Sequence, residues 1–398
     1  PQPWPQPWPQ PYLPIMTHLL TLLPWAAFLV FLPVLFRRRP RLRDFDPPDA
    51  GEAPFVSVIV PARNEAANIG ACVRGLLGSS YPRYEILVVD DRSEDGTTQI
   101  ASALAEHGLK NVVVVEGEPL PEGWFGKPWA CWQGYRRARG EVLLFTDADT
   151  RHEPALLGHA VGALQATGAG LVTVLPRQIL GSFWERIVMP QFLIMLMLRY
   201  HSANRVNRSR EPLDVIANGQ FILVDREAYE AVGGHEAVRA EVAEDLCLAQ
   251  RFVAGGQRVF LAHAEDLMWT RMYESLGQIV EGWSKNAAIG SRQTVPTWLR
   301  PVVPYLIAAY LLLMWVLPPV MLLASLLTGT DGVVRGWAAG ATAISLAYWL
   351  LAGARLRTMR AHALLYPLGA AIAAAIFIRS ALQGPRVVWK GRRYGESG

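Results

Sequence analysis

Three short apolar runs, each closed by acidic or amide side chains, limit the fold of this chain more than any other feature. They are FVSVIVPA ahead of Arg63-Asn64-Glu65, YEILVV ahead of Asp90-Asp91-Arg92-Ser93, and VLLF ahead of Thr146-Asp147-Ala148-Asp149. A continuous apolar run of this length, without alternation, is expected of a strand covered on both faces of a parallel sheet. The segments between them carry helical spacing. In NEAANIGACVRGLLGSS the residues Ile69, Val73, Leu76 and Leu77 share one face, and TTQIASALAEHG reads as a second helix stopped by Gly108. NVVVV is a further strand, and a helix over about 128–139 leads into the run at Val142. Strands alternating with helices in this way predict an α/β domain around a largely parallel sheet.

In such sheets ligands bind beyond the carboxyl ends of the strands. Any one of the three polar ends could be a turn, and Asp147 or Asp149 could cap a helix beginning near Glu153-Pro154. Gathered at one edge they form a crevice rich in carboxylates, which calls for a cation or a cationic partner. Two aspartates one residue apart suit a hard divalent cation held through oxygen, with a diphosphate filling its other positions. Further on, Glu244-Asp245 opens a helix whose apolar side carries Leu246, Leu248 and Phe252, where the helix dipole favours acidic residues.

Of the 398 residues, 51% are hydrophobic, and the mean hydropathy of +0.18 is high for a soluble protein. The excess lies at the ends and divides the chain. Residues 1–12 are a Pro/Gln/Trp repeat that is extended or disordered, 13–36 a transmembrane anchor, 37–53 a basic linker, and 54–290 the α/β domain. Residues 301–380 hold the C-terminal transmembrane helices, expected at 302–327, 333–353 and 362–380 with Pro318-Pro319 interrupting the first, and 381–398 form a basic tail. Because Met16 opens a more ordinary membrane-protein start, the residues before it read as an over-extended reading frame. The run RRRPRLR at Arg37 to Arg43 follows the first apolar stretch, which favours a retained anchor over a cleaved signal peptide and puts the α/β domain in the cytoplasm. Counting three further spans leaves RVVWKGRRY, Arg386 to Tyr394, on the opposite side, against the same tendency. One segment is then re-entrant or interfacial, or one boundary is displaced. The apolar segment 183–200, bracketed by Arg186, Arg199, Arg205 and Arg208, reads as an interfacial helix lying in the membrane plane. Cys72, Cys131 and Cys247 are too widely spaced for a thiolate metal site or a disulfide framework. The net charge of +4 comes largely from the juxtamembrane runs and suits an anionic bilayer surface, with no nucleic-acid partner.

VSVIVPARNEAANI, EILVVDDRSEDGT and LLFTDAD resemble the opening of the family 2 glycosyltransferases, whose fold is the GT-A nucleotide-diphospho-sugar transferase domain with a Rossmann-like mixed sheet. The similarity continues through EGWFGKPWACWQGYRRARG, ANGQFILVDREAYEAVGGHEAV and AEDLCLAQRFVAGGQRV to EGWSKNAAIG, over about 55–290. Within that family it is similar to the membrane enzymes that glycosylate carotenoid acids and to hopene-associated glycosyltransferases. The resemblance implies that Asp91 hydrogen-bonds the donor nucleobase, that Pro61 and Glu65 lie beside the nucleoside, and that Asp149, with Asp147, binds Mg2+ or Mn2+. Lys127, read as part of an ordered loop between Gly126 and Trp129, would add positive charge at the diphosphate, and Asp245 would be the general base of a single inverting displacement. Asn218, Gly219, Gln220 and Glu244 fall on the acceptor side, and Trp283 would close over acceptor or sugar. Processive polymer synthases of the family carry Q-x-x-R-W where this chain has Gln278-x-x-Glu281-Gly282-Trp283, and the missing arginine speaks against polymer synthesis. The implied protein is a multi-pass enzyme of the cell (inner) membrane that moves glucose from a UDP-linked nucleotide-sugar donor to a lipid acceptor such as a carotenoid, hopanoid or other isoprenoid. A polyprenyl-phosphate transferase and a non-catalytic nucleotide-sugar-binding membrane protein are the alternatives.

Overall fold

The three apolar runs that end in acidic or amide side chains become strands whose successive residues enter opposite cores. The computed structural model describes residues 21–28, 39–106, 111–329, 332–355, 360–384, 387–389 and 392–394. In β1 (Val56–Ala62), Val58 and Val60 face one core and Ile59 the other; in β2 (Tyr84–Asp90), Ile86 and Val88 oppose Leu87 and Val89. This two-sided burial is why the runs show no polar alternation. β3 (Val112–Glu116) and β4 (Val142–Thr146) complete the parallel part, and β1 pairs with β2 on one side and β4 on the other. The remaining strands of the domain are β5 (Thr150–His152), β6 (Leu171–Leu175), β7 (Arg177–Gln178), β8 (Phe221–Asp225), β9 (Val259–His263) and β10 (Met268–Thr270), and outside it Val387–Trp389 pairs antiparallel with Arg392–Tyr394. The main sheet runs β3-β2-β1-β4-β8-β6-β9, and β8 is antiparallel to both neighbours, so the sheet is mixed. β5, β10 and β7 make a second, three-stranded sheet. The order reverses between β1 and β4, and the carboxyl ends flanking that reversal carry Pro61 to Glu65 and Asp147 to Asp149. A crevice at such a reversal is where open α/β sheets take ligands.

The helices of the domain are α1 (Ile69–Leu77), α2 (Thr97–Glu106), α3 (Gly126–Arg137), α4 (Leu156–Thr167), α5 (Phe183–Tyr200), α6 (Ala203–Arg208), α7 (Arg226–Ala231), α8 (Glu244–Ala254) and α9 (Leu276–Gln293). Two expectations are corrected here. α3 starts two residues before the 128–139 segment, because Pro128 is tolerated in a first helical turn where its missing N–H costs nothing; Lys127 therefore stands at a helix N-terminus and not in a loop. The D-x-D pair caps no helix, since β5 intervenes between Asp149 and α4 and pairs with β10.

α5 covers the expected 183–200, but nine of its 18 residues are buried, and it packs on α9 and on the last apolar helix. Its apolar character is thus met largely by protein. Among the described residues three helices are long and apolar enough to cross a membrane: Val303–Thr328, Gly332–Ala354 and Tyr366–Gln383. The last begins four residues beyond the expected 362 because Pro367 suits a first helical turn. Pro318-Pro319 does not break the first. A π-helical turn at Leu312–Val316 precedes it, and the Met314 carbonyl, four residues before Pro318, accepts from the Trp25 indole at 2.9 Å. Of the N-terminal anchor only residues 21–28 are described, with Trp25 and Phe28 buried against these helices; 1–20, with the expected Pro/Gln/Trp repeat, and 29–38 lie outside the described residues. The described part of the 37–53 linker is tied to the domain. Leu42 is fully buried, Arg41 bridges to His263, and the Pro40 carbonyl accepts from His263 N–H at 2.8 Å.

Candidate active site

The loops after β1 and β2 are clasped to each other. Arg63, buried, donates to the Asp91 carbonyl at 2.7 Å and the Arg92 carbonyl at 2.9 Å, while Asp91 N–H returns to the Ala62 carbonyl at 2.8 Å. Asn64 and Arg92 both hold left-handed backbones, φ 52° and 57°, and the Asn64 side chain accepts from Glu94 N–H at 2.9 Å. Pro61 lies past the last β1–β4 pair, where its missing N–H is not called on by β4. Glu65 N–H donates to Thr97 Oγ1 at 2.8 Å, and the Glu65 carboxylate accepts from the Asn68 amide at 3.2 Å. Asp91 is 2% exposed at the base of this double loop.

The D-x-D turn is held by its backbone, which leaves its carboxylates for other work. Thr150 Oγ1 donates to the Asp147 carbonyl at 2.6 Å, and Thr270 Oγ1 to the Asp149 carbonyl at 3.3 Å. Beneath them His152 Nε2 lies 2.7 Å from Thr150 Oγ1; burial pushes this imidazole down to about 3, so it is neutral and buttresses the turn.

Lys127 Nζ meets Asp147 Oδ1 at 2.8 Å and Glu244 Oε1 at 3.0 Å. A cation at a helix N-terminus is disfavoured by the dipole, so the two carboxylates hold it there. Burial alone would push the ammonium down; Asp147 and Glu244 more than offset this and keep it well above its usual range. Glu244 and Asp245 begin α8. Asp245 Oδ2 accepts from Gly219 N–H at 2.8 Å, and its carboxyl is pushed up to about 6, first by burial and then by the Glu244 charge. A Cβ at position 219 would stand 2.8 Å from Lys127 Nζ and 3.0 Å from Asp245 Oδ2, so any side chain there displaces the ammonium or the carboxylate.

The structure thus brings Lys127, Asp147, Glu244, Asp245 and Gly219 together, with Gln220 beside them and Asp91 and Glu65 across the reversal of the sheet. Trp283 is turned elsewhere. Its ring stacks on Phe192 at 4.0 Å, and its indole N–H goes to Met189 Sδ, so it packs α9 on α5 and not over the carboxylates. Lys285 was not foreseen. It faces Glu244, Asp147 and Asp245 from α9, and burial pushes it below its usual range. The available signal was helical spacing, since a residue two positions beyond Trp283 points to the opposite side of the helix.

Among the described residues no group of three or more His, Cys, Asp or Glu could hold a metal ion by itself. Two carboxylates in a turn fit a hard cation that completes its shell on a diphosphate. Thiolates do not enter, because burial pushes Cys72 up to about 12 and raises Cys131 likewise.

Residues 57–233 match the family model described as glycosyl transferase family 2, and the chain is a glycosyltransferase with this family's domain over β1 to β8. Its relatives include proteins named 4,4'-diaponeurosporenoate glycosyltransferase. That of Staphylococcus haemolyticus (strain JCSC1435) is 27% identical over 277 residues, 69% of this chain and 72% of the relative. That of Staphylococcus aureus (strain USA300) is 26% identical over 254 residues, 63% and 65% of the two chains. Among solved structures, the mannosyltransferase PcManGT from Pyrobaculum calidifontis, in complex with GDP-Man and Mn2+, is similar with a TM-score of 0.57 at 21% identity, covering 93% of this chain and 98% of that one. The likeness shows the GT-A fold.

Proposed function

We propose that this chain is a membrane-bound inverting glycosyltransferase that moves a hexose, glucose by preference, from a UDP-linked donor to a lipid acceptor of carotenoid, hopanoid or other isoprenoid type. The observation that carries this reading is the meeting of Asp147, Lys127, Glu244 and Asp245 at one sheet edge, in a domain that continues into three apolar helices. The lipid acceptor is supported by the names of the Staphylococcus relatives. Asp91, with Pro61 and Glu65, holds the nucleoside. Asp149 and Asp147 hold Mg2+ or Mn2+, which supplies charge neutralisation at the departing diphosphate. Lys127 leaves its carboxylates in part to share that diphosphate. Asp245 accepts the proton of an acceptor hydroxyl, and Glu244 keeps Lys127 in place and raises the basicity of Asp245. The domain works on the cytoplasmic face of the cell membrane, a reading supported by the basic run at Arg37 to Arg43.

The metal assignment has a direct test. Purified chain should bind Mn2+ in the presence of UDP, seen by calorimetry, and Asp149→Ala should abolish both this binding and turnover. Full turnover in excess EDTA would refute the assignment.

A further inference from the structure

We propose that Gln220 recognises the sugar being transferred: its side-chain amide donates to hydroxyl oxygens of the hexosyl unit, which makes it a specificity-determining residue of the reaction proposed above, on which this inference rests. The orientation of that amide follows from a chain of contacts. Asn218 Nδ2 lies 3.1 Å from the Val174 carbonyl oxygen, which can only accept, so the Asn218 atom there is the nitrogen. Gln220 N–H pointing to Asn218 Oδ1 at 3.4 Å agrees. The same Asn218 nitrogen reaches Gln220 Oε1 at 3.2 Å, and Gln178 Nε2 reaches that oxygen at 3.3 Å. With its oxygen held by two donors, the Gln220 amide must turn its two N–H groups the other way. The Gln220 side chain is largely enclosed, with the residue 5% exposed, and among the described residues its side-chain N–H groups make no hydrogen bond. With their direction fixed by the held oxygen, these two donors are available to a ligand that enters the crevice.

The position says which ligand. On one side Gln178 pairs in register with Thr270, whose hydroxyl donates to the Asp149 carbonyl. On the other side Gly219, the preceding residue, gives its N–H to Asp245 Oδ2. The amide therefore lies between the turn on the leaving diphosphate's side and the carboxylate on the acceptor's side. In an in-line displacement the transferred glycosyl unit stands between those two groups. A hexose offers hydroxyl acceptors there; an isoprenoid chain offers none. A neutral amide also selects by the geometry of a hydroxyl and not by charge. The family resemblance puts Gln220 on the acceptor side, and these contacts favour the sugar.

The test uses the full chain in detergent with Mn2+, titrated calorimetrically with UDP, UDP-glucose and the monodeoxy analogues of UDP-glucose. Gln220→Glu keeps an oxygen for the Asn218 and Gln178 amides while removing the N–H donors; Gln220→Met removes the donors without adding charge. Both should weaken UDP-glucose binding roughly tenfold, leave UDP binding unchanged, and have no effect on the analogue lacking the recognised hydroxyl. An equal loss of UDP affinity, or the same loss for every analogue, overturns the proposal and makes Gln220 a structural residue. Wild-type chain that binds neither UDP nor UDP-glucose overturns the donor reading itself, and this inference with it.

Discussion

Asp245 carries the sharpest chemical consequence of the site. Its carboxyl, pushed up to about 6 by burial and by Glu244, is a stronger proton acceptor than an ordinary aspartate. A raised carboxyl is protonated below that value and charged above it, so a base in this position works at neutral pH and is lost as the pH falls through about 6. The pH profile of kcat/KM should show an acid limb near that value, and Asp245→Asn should lower the rate roughly a hundredfold to ten-thousandfold while leaving donor affinity intact. Near-normal turnover of Asp245→Asn would remove the base and point to an acceptor that is already ionised. At this scale the sequence was informative where chemistry needs a rare pattern. Asp147, Asp149 and Asp91 stand out at the ends of apolar runs, and the structure puts them at one edge. Helical spacing sets Lys285 and Trp283 on opposite sides of α9, but which side meets α8 and which meets α5 is decided by tertiary packing and was not legible.

At the scale of elements, the apolar helices do more than reach into a bilayer. The last one, Tyr366–Gln383, packs on α5 and α9 through small residues, and Ser380 Oγ accepts from Ala288 N–H of α9 at 2.9 Å. Gly369 permits the closest approach: a Cβ there would overlap the Ile187 carbonyl of α5. The Glu185 carboxylate near the start of α5 is in turn paired with Arg271, just after β10, at 3.1 Å. A leucine at position 369 must separate the two helices, at a cost of about 1–3 kcal/mol. Gly369→Leu should lower the thermal unfolding midpoint in detergent by several degrees, whereas Gly340→Leu, with no close neighbour but Leu22, should lower it much less. Equal effects of the two would show that the contact is not tight. Strand and helix existence was readable from apolar spacing, and so was the segment 183–200. Its reason for being apolar was not, because a sequence cannot say whether lipid or a neighbouring helix covers a face.

For the whole molecule, the arrangement joins an α/β domain to helices long and apolar enough to cross a membrane. The crevice lies where β1 and β4 part, and the chain leaves β7 and β10 toward α5 and α9, the two helices that meet the apolar layer. A donor from water and an acceptor from lipid can then meet at one sheet edge, which is the central claim. It is tested most directly in inverted inner-membrane vesicles from cells making this chain, whose cytoplasmic face is outward. UDP-glucose labelled in the sugar is added with Mn2+, and the lipid extract is counted and resolved by mass spectrometry. Label is expected in an isoprenoid lipid heavier by one hexose, and none with Asp149→Ala. Vesicles containing the wild-type chain that bind UDP-glucose and yet leave the lipid fraction unlabelled across the isoprenoid range would contradict it.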